Sequence, residues 1–470
     1  MLASQAVQMP ISFVTNAILA RKLGPAEFGA LYFGSTVVGL GFLFVDWGQT
    51  SAIALQVARD RSRTAGLVGT SIVLKLVFSV LATAALTALG FLQGYSTLEW
   101  LAVVFYLLNS FAATLQATGT AVLRGLELTE QVSAVAVAGV FVTSALGIGI
   151  VLAGMGLRGV LWSILVGGLF SLIVTALLVR RQKIGAPRFS TTIVRVLVGQ
   201  GTIFLAYNVV LAAQPYIDSA MLARLAPPAA MGWHAATRRI TGLLLLPGIS
   251  VGYSLYPTLV RLQKEAPERA VEMMRTALKR LVLLGMPATL GAILFAQPVV
   301  ELIYGANYEG AARNLQAFAP WLVLVYFSIV IGNALFALER VMKWTAVQAL
   351  CLVISAAFDA PLIHFFQDRF ANGAIGISVS NIISEVLMVT LGAALLPRTM
   401  LSGGLARATA QALIAGGAMV ATGLALNHLP AVIGAMASMI AYLITLFLVG
   451  GFTREDVRGV VALLSAKKSR

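Results

Sequence analysis

Residues 134–154 read AVAVAGVFVTSALGIGIVLAG, a stretch without one charged side chain. Such a run suits the hydrocarbon interior of a bilayer, whose core takes about 20 predominantly apolar residues per helix. It has many counterparts along the chain. Apolar residues make up 59% of the 470 positions and charged residues 11%, against roughly half and a quarter in a soluble domain. A water-soluble fold of this length has too little interior for so much apolar side chain. The runs are long and continuous rather than alternating, which excludes a transmembrane β-barrel. The expected fold class is an all-α polytopic membrane protein.

A template of about 20 residues places about fourteen spans. They fall near 3–22, 29–57, 65–90, 98–123, 130–153, 159–179, 198–222, 230–260, 277–297, 311–338, 342–366, 373–396, 406–426 and 431–451. The net charge of +15 invites a nucleic-acid reading. The basic residues, however, stand in short clusters between apolar runs, as membrane topology requires, so no nucleic-acid partner is expected. With the N-terminus in the cytoplasm, 24 Lys and Arg fall on inside segments, 6 on outside loops and 3 within spans. An even span count returns both termini to the cytoplasm, as in a multi-pass protein of the cell membrane. The first apolar run lacks a basic start and is read as the first span rather than a signal peptide. Cys351 is the single cysteine and permits no internal disulfide. Two basic stretches, APERAVEMMRTALKRL (266–281) and EDVRGVVALLSAKKSR (455–470), read as amphipathic helices. The first lies on the membrane or extends the ninth span. Each either binds anionic head groups or anchors topology.

The chain repeats itself. LARKLGPAEFG (19–29) matches LARLAPPAAMG (222–232) at six of eleven positions, with an offset of 203. LELTEQVSAV (126–135) faces LERVMKWTAV (338–347), and GLRG (156–159) faces GAIG (373–376). The order is conserved, and six spans separate each pair. Six is even, so both copies share one orientation. This is a parallel repeat about an axis along the membrane normal, an arrangement that in transporters places the substrate cavity between the halves. The expected division is a six-helix lobe over 1–185, a second over 186–400, and two further helices with a basic tail over 401–470.

At LARKLGPAEFGALY and DWGQTSAI (46–53) the chain resembles the polysaccharide and oligosaccharide flippases of the multidrug/oligosaccharidyl-lipid/polysaccharide exporter superfamily. DSAMLARLAPPAAMGWHAATRR (218–239) and LYPTLVRL (255–262) are similar to the family's seventh-to-eighth span region. The resemblance implies twelve core helices in two lobes, alternating access, and movement of undecaprenyl-phosphate-linked sugars from the cytoplasmic to the outer leaflet. An Arg-x-x-Gly-Leu-x-Arg stretch, typical of the lipid II branch, is absent from the first span, which weighs against a peptidoglycan precursor. The expected partners are a lipid-linked glycan and membrane lipids, with room for polysaccharide-assembly proteins; a monomer is expected.

Charges inside spans are expensive and mark function by default. Arg238 and Arg239 lie about two turns into the eighth span, with His234 one turn before Arg238 on the same face. Guanidinium forks match phosphate oxygens, so these three residues are substrate-binding candidates. The competing reading is snorkelling to the interface. Lys75 and Arg21 are further substrate candidates; Lys75 lines a cavity or reaches the interface, and Arg21 with Lys22 attracts phosphates or is a wetted loop pair. Asp46 and Asp218 are candidate ion-coupling residues, Asp218 being also placed to pair with Arg224. Asp359 and Glu385 are weaker candidates of the same kind. Gln200, Asn208 and Gln214 either bond sugars or hold helices together. GMGLRG (154–159) follows a membrane helix and is read as a tight turn, not a dinucleotide motif. The histidines are scattered, so no metal, no cofactor and no catalytic residue is expected; a proton or sodium gradient is the expected drive. Competing functions are a multidrug or small-molecule cation antiporter of the same fold and, from another class, a membrane-bound glycan polymerase or ligase. The latter requires a large outside loop, and the longest here spans only about 297–311.

The topology predicts that cysteines introduced at Gly94 and Asn427 are labelled from outside and those at Arg61 and Lys468 from inside. An inside label at Gly94 overturns both the orientation and the parallel reading of the repeat.

Overall fold

The computed structural model describes residues 2–401 and 404–451; the C-terminal amphipathic stretch 455–470 lies outside them. Among the described residues the regular structure is helical, without strands. The chain forms two compact units: Met1–Ala236 with Ile303–Tyr308 and Gln367–Ala374, and Thr237–Leu302 with Glu309–Phe366 and Ile375–Arg470.

In the first unit α1 (Leu2–Asp46) and α2 (Gln49–Arg59) are followed by α3 (Thr64–Gln93), α4 (Thr97–Gly125), α5 (Thr129–Leu152), α6 (Gly156–Arg181) and α7 (Thr191–Leu225). The division passes within α8 (Pro228–Leu244). The second unit holds the rest of α8, α9 (Leu246–Glu265) and α10 (Pro267–Leu294). It takes most of α11 (Ala296–Tyr304), then α12 (Glu309–Phe318), α13 (Pro320–Ala337) and most of α14 (Val341–Phe370) and α15 (Ala374–Ala394). The chain continues through α16 (Arg398–Leu401), α17 (Leu405–Ala425) and α18 (Ala431–Leu448).

Among the described residues eleven helical segments are long and apolar enough to cross a bilayer, or twelve if α8 and α9, which meet at 48°, make one broken span. The expected fourteen differs by including α7 and by dividing α1 at Gly24, whose backbone leaves the helix with φ 76° and ψ 173°. At about 1.5 Å per residue a helix of 45 residues is roughly twice the depth of a bilayer core. Of the two readings of 266–281, the structure takes the extension: α10 runs from Pro267 into the apolar stretch. GMGLRG forms a turn, with Gly154 at φ 79° and Gly156 at φ 57°.

The repeat has a backbone counterpart. Glu127 and Glu339, matched in the sequence alignment, both adopt left-handed φ, 65° and 58°. Each closes its helix in the same way: Leu128 N–H donates to Leu123 O at 2.8 Å, and Arg340 N–H to Leu335 O at 2.8 Å. This is the six-to-one bond of a Schellman cap, normally built on glycine. Gly154 and Ala371, at the offset of the third match, are both left-handed as well, at 79° and 51°.

The first pair of matched phrases meets within the first unit. A Cβ on Gly29 would lie 2.7 Å from Gly232 N and 3.1 Å from Pro228 O; a Cβ on Gly232 would lie 2.0 Å from Pro25 O. The contact is reciprocal, as a two-fold relation demands. Each partner helix segment begins on a proline, Pro25 or Pro228, where the missing N–H is harmless. Only glycine lets the two segments approach this closely. We therefore expect Gly232→Ala to destabilise the protein by about 1–3 kcal/mol through overpacking against rigid backbone. Gly39→Ala, with no atom within 4 Å of the new carbon, should be neutral or stabilising. Thermal unfolding of the purified variants checks this; equal melting temperatures for both refute the close-approach argument.

Candidate functional site

In the first unit the second span breaks. Trp47 and Gly48 take left-handed φ of 48° and 68°, ending α1 and starting α2. Asp46 sits at the break. Its carboxylate accepts from the Thr50 hydroxyl at 2.5 Å and from Thr50 N–H at 3.4 Å in the first turn of α2, where the helix dipole favours an anion. Lys75 reaches it from α3: Nζ lies 2.8 Å from Asp46 Oδ1, with the lysine fully buried and the aspartate 26% exposed. Lys75 also donates to Thr114 O on α4 at 3.2 Å. The polar path continues through neighbouring side chains: Ser71 Oγ donates to Gln49 Oε1 at 2.9 Å and lies 3.3 Å from Thr118 Oγ1. Trp47 covers this region, its ring 5.6 Å from Phe78 and its Nε1 donating to Thr202 at 3.1 Å.

The other first-unit candidates lie apart from this pair. Asp218 is buried on α7 and accepts from Gln214 at 2.7 Å; the next residue, Ser219, accepts from Thr36 at 3.2 Å. His234 is buried on α8, its ring edge-on to Tyr32 at 5.8 Å. Arg21 donates to Ile303 O at 2.9 Å, in the last turn of α11, where a cation complements the helix dipole. Gln200 accepts from Gln56 at 3.1 Å, a helix-holding role, and Asn208 is exposed.

In the second unit the consecutive arginines separate, as the helix turn requires. Arg239 is exposed and Arg238 partly buried. The Arg238 guanidinium lies over Phe318 at 5.7 Å and Trp321 at 5.6 Å from the ring centroids. Those rings stack at 4.7 Å and 13°. Trp321 Nε1 donates to Glu385 Oε2 at 3.0 Å, and the Ser328 hydroxyl donates to the other carboxylate oxygen. Glu385 also lies within electrostatic reach of Arg238. Beside the arginine, Thr237, Asn314 and Ser378 form a buried chain: Asn314 Nδ2 donates to Thr237 Oγ1 at 3.1 Å, and Ser378 Oγ donates to Asn314 Oδ1 at 2.5 Å. Aromatic faces over a cation are worth about 2 kcal/mol or more when desolvated. The cluster therefore holds the Arg238 guanidinium against an aromatic surface.

The structure thus joins Asp46 to Lys75, which sequence reasoning placed in separate roles. It places His234 in the first unit and Arg238 in the second. Phe318, Trp321, Thr237, Asn314 and Ser378 were not selected from sequence. Asn314 stands among polar neighbours, Arg313 and Gln316, and Phe318 and Trp321 are ordinary aromatics of an apolar run, so neither signalled a place beside Arg238. Asp359 is buried on α14. Among the described residues no group of three His, Cys, Asp or Glu side chains is placed to hold a metal.

Residues 18–313 match the sequence profile of the family described as Polysaccharide biosynthesis protein, more than half of the chain. The chain belongs to this family. Family resemblance extends to a probable low-salt glycan biosynthesis flippase, Agl15, of Haloferax volcanii, 19% identical over 394 residues, covering 82% of this chain and 79% of that protein. In fold it is similar to the lipid II flippase MurJ in an inward closed conformation, with a TM-score of 0.71, 14% identity, and 94% and 97% of the two chains covered. It is likewise similar to an inward-facing multidrug resistance MATE transporter, with a TM-score of 0.67, 18% identity, and 86% and 99% covered. At these identities the solved structures establish the polytopic all-α fold alone.

Removing one member of a buried ion pair leaves an uncompensated charge, at a cost of about 3–5 kcal/mol when both are fully buried. Because Asp46 keeps 26% exposure, we expect about 2 kcal/mol for Asp46→Asn, read as a lowered melting temperature. Adding Lys75→Met should recover most of it. A double variant no more stable than Asp46→Asn alone refutes the pairing.

Proposed function

We propose that the chain is a flippase that moves a lipid-linked glycan across the cell membrane by alternating access. The carrier in this reading is undecaprenyl phosphate, the direction is from the cytoplasmic to the outer leaflet, and both termini face the cytoplasm. The protein performs no covalent chemistry; it is a monomeric transporter driven by a proton or sodium gradient, working beside polysaccharide-assembly proteins. The family and the glycan flippase from Haloferax volcanii support this class of substrate.

The observation that carries the reading is Arg238 lying on the stacked Phe318 and Trp321 rings. A guanidinium takes phosphate oxygens bidentately, and an aromatic face suits the apolar face of a sugar ring. A cation antiporter of the same fold needs carboxylates available to a cation. Asp46 is engaged by Lys75 and Thr50, and Glu385 by Trp321 and Ser328, so this alternative has less support. Asp46 remains the coupling candidate because it is a carboxylate paired with Lys75 beside the helix break.

Arg238→Lys keeps the charge and loses the fork, and should slow flipping about ten-fold, the scale of one charged hydrogen bond. Arg238→Ala should abolish flipping at normal membrane abundance, with lipid-linked glycan accumulating on the cytoplasmic leaflet by mass spectrometry. An Ala variant that loses abundance while the remaining protein transports normally overturns the binding role.

A further inference from the structure

Three loops of the first unit, those after α2, α4 and α6, meet around a cavity of about 540 Å³. Arg61 and Ser62 line it from the first loop, Leu126 and Leu128 from the second, and Gln182 and Lys183 from the third. Its size is that of a small-molecule site. None of these residues belongs to the clusters around Asp46 and Arg238.

The internal repeat shows why this space is open. Leu128 is aligned with Arg340, and each donates its N–H in the same six-to-one bond, to Leu123 O and to Leu335 O. In the second unit the Arg340 side chain crosses to the end of α15 and donates to Leu395 O. At the offset of the third matched pair, the counterpart of Leu395 is Leu178. In the first unit Leu128 has no side-chain donor, and Leu178 O accepts instead from Gln182 Nε2, one turn further along the same helix end, at 3.4 Å. The arginine that ties two loops in one half is therefore missing from the other, and a cavity lies between the corresponding loops.

Two cations stand at this cavity without a protein partner. Among the described residues neither the Arg61 nor the Lys183 side chain has an ion pair or a hydrogen bond, whereas nearby Arg63 pairs with Asp60 at 3.2 Å. Asp60 is further engaged by Ser62, whose N–H and hydroxyl donate to Oδ1 at 3.0 and 2.6 Å. Glu127 sits between Leu126 and Leu128 but does not line the cavity. Residues 59–63, 124–130 and 180–188 together hold eight Lys and Arg against three Asp and Glu, so the acids of these loops are too few to neutralise them. Both Arg61 and Lys183 are exposed, which leaves the cavity open to water and to a ligand.

We infer that this cavity binds a phosphate monoester group. The Arg61 fork takes two phosphate oxygens and Lys183 adds a point charge. A phosphate monoester carries a charge of about −1.5 to −2 at neutral pH, which matches two cations where a carboxylate matches one. Such a group comes from a soluble ligand or from a lipid head group such as phosphatidic acid. The site is independent of the substrate and of the orientation proposed above.

The test uses the full-length protein, delipidated in detergent. Retention of phosphatidic acid and of phosphatidylcholine is read by native mass spectrometry, and binding of inorganic phosphate by thermal shift. The wild type should bind at least one of the two phosphate probes and release phosphatidylcholine. Phosphatidic acid that millimolar inorganic phosphate does not displace assigns a lipid source; displacement, or binding of inorganic phosphate alone, assigns a soluble one. R61Q/K183Q should bind about thirty-fold more weakly, the scale of two charge-assisted contacts discounted for solvent exposure, with an unchanged melting temperature measured without probe. R181Q, which removes an exposed cation that does not line the cavity, should bind as the wild type does. L128R supplies the arginine of the other half and adds a positive charge, yet should lose binding, because its guanidinium closes the space against Leu178 O. Binding that is undiminished or increased in L128R shows attraction by net charge alone and overturns the site. Binding of neither phosphate probe, equal retention of phosphatidylcholine, undiminished binding by R61Q/K183Q, or the same loss in R181Q overturns it as well.

Discussion

Two proline-started helix segments touch through their glycines, and much of the first unit's arrangement depends on that contact. Gly29 has no room for a Cβ against Gly232 N and Pro228 O, and Gly232 has none against Pro25 O. In lipid the hydrophobic effect does not drive helices together, so association rests on close packing and on hydrogen bonds. Small residues at such a contact let backbones approach until dispersion forces act along their whole length. The same segments carry the chain into its polar groups. From Gly29, α1 leads to Asp46; from Gly232, α8 leads within two turns to His234, Thr237 and Arg238. Glu27, two residues before the contact, accepts from Leu157 N–H at 3.1 Å at the start of α6, tying a further helix to the same point.

Charge is the second constraint. A lone cation deep in a bilayer costs at least about 2.5 kcal/mol and more in some estimates. The structure meets this locally in each unit. Lys75 is neutralised by Asp46 at 2.8 Å. Arg238 is held by two aromatic faces and the field of Glu385. The two solutions differ in what they leave available. An ion pair cancels itself and responds to protonation of the acid. An aromatic face is neutral, so a cation on it keeps its charge.

This difference also explains how much the sequence disclosed. Apolar runs report burial in lipid directly, so the all-α polytopic class followed from length and composition. The repeat was readable because it rests on residues with narrow backbone roles: Gly29 and Gly232 at a close approach, Pro25 and Pro228 at helix starts. The left-handed Glu127 and Glu339 were aligned as matching residues, but nothing in a glutamate announces positive φ. Candidate charges were visible one at a time because each is anomalous in its own span. Their partners were not. Asp46 and Lys75 are 29 residues apart on different helices, and no pattern within one helix encodes that pairing. Phe318 and Trp321 are ordinary residues for a membrane helix until Arg238 is placed above them.

The repeat also extends to where the chain gives up helical hydrogen bonds. The second span of each half is broken, between α1 and α2 at Trp47–Gly48 and between α8 and α9 near Pro247. Backbone groups released at a break have no water to satisfy them in hydrocarbon and must find protein partners. In the first half an amide is met by an acid: Thr50 N–H donates to Asp46. In the second half a carbonyl is met by a phenol: Tyr326 donates to Leu244 O at 2.5 Å. Gly248 and Gly285 make room for that tyrosine, since a Cβ on either would lie 2.7 or 3.1 Å from its ring. Apart from one glycine each, Gly48 and Gly248, the sequences of the two breaks differ. A break in the same span of each half, satisfied by unrelated chemistry, argues that the bend itself is what the architecture needs. The acid at the first break then brings Lys75 with it, and the ion pair is a consequence of bending a helix inside a membrane.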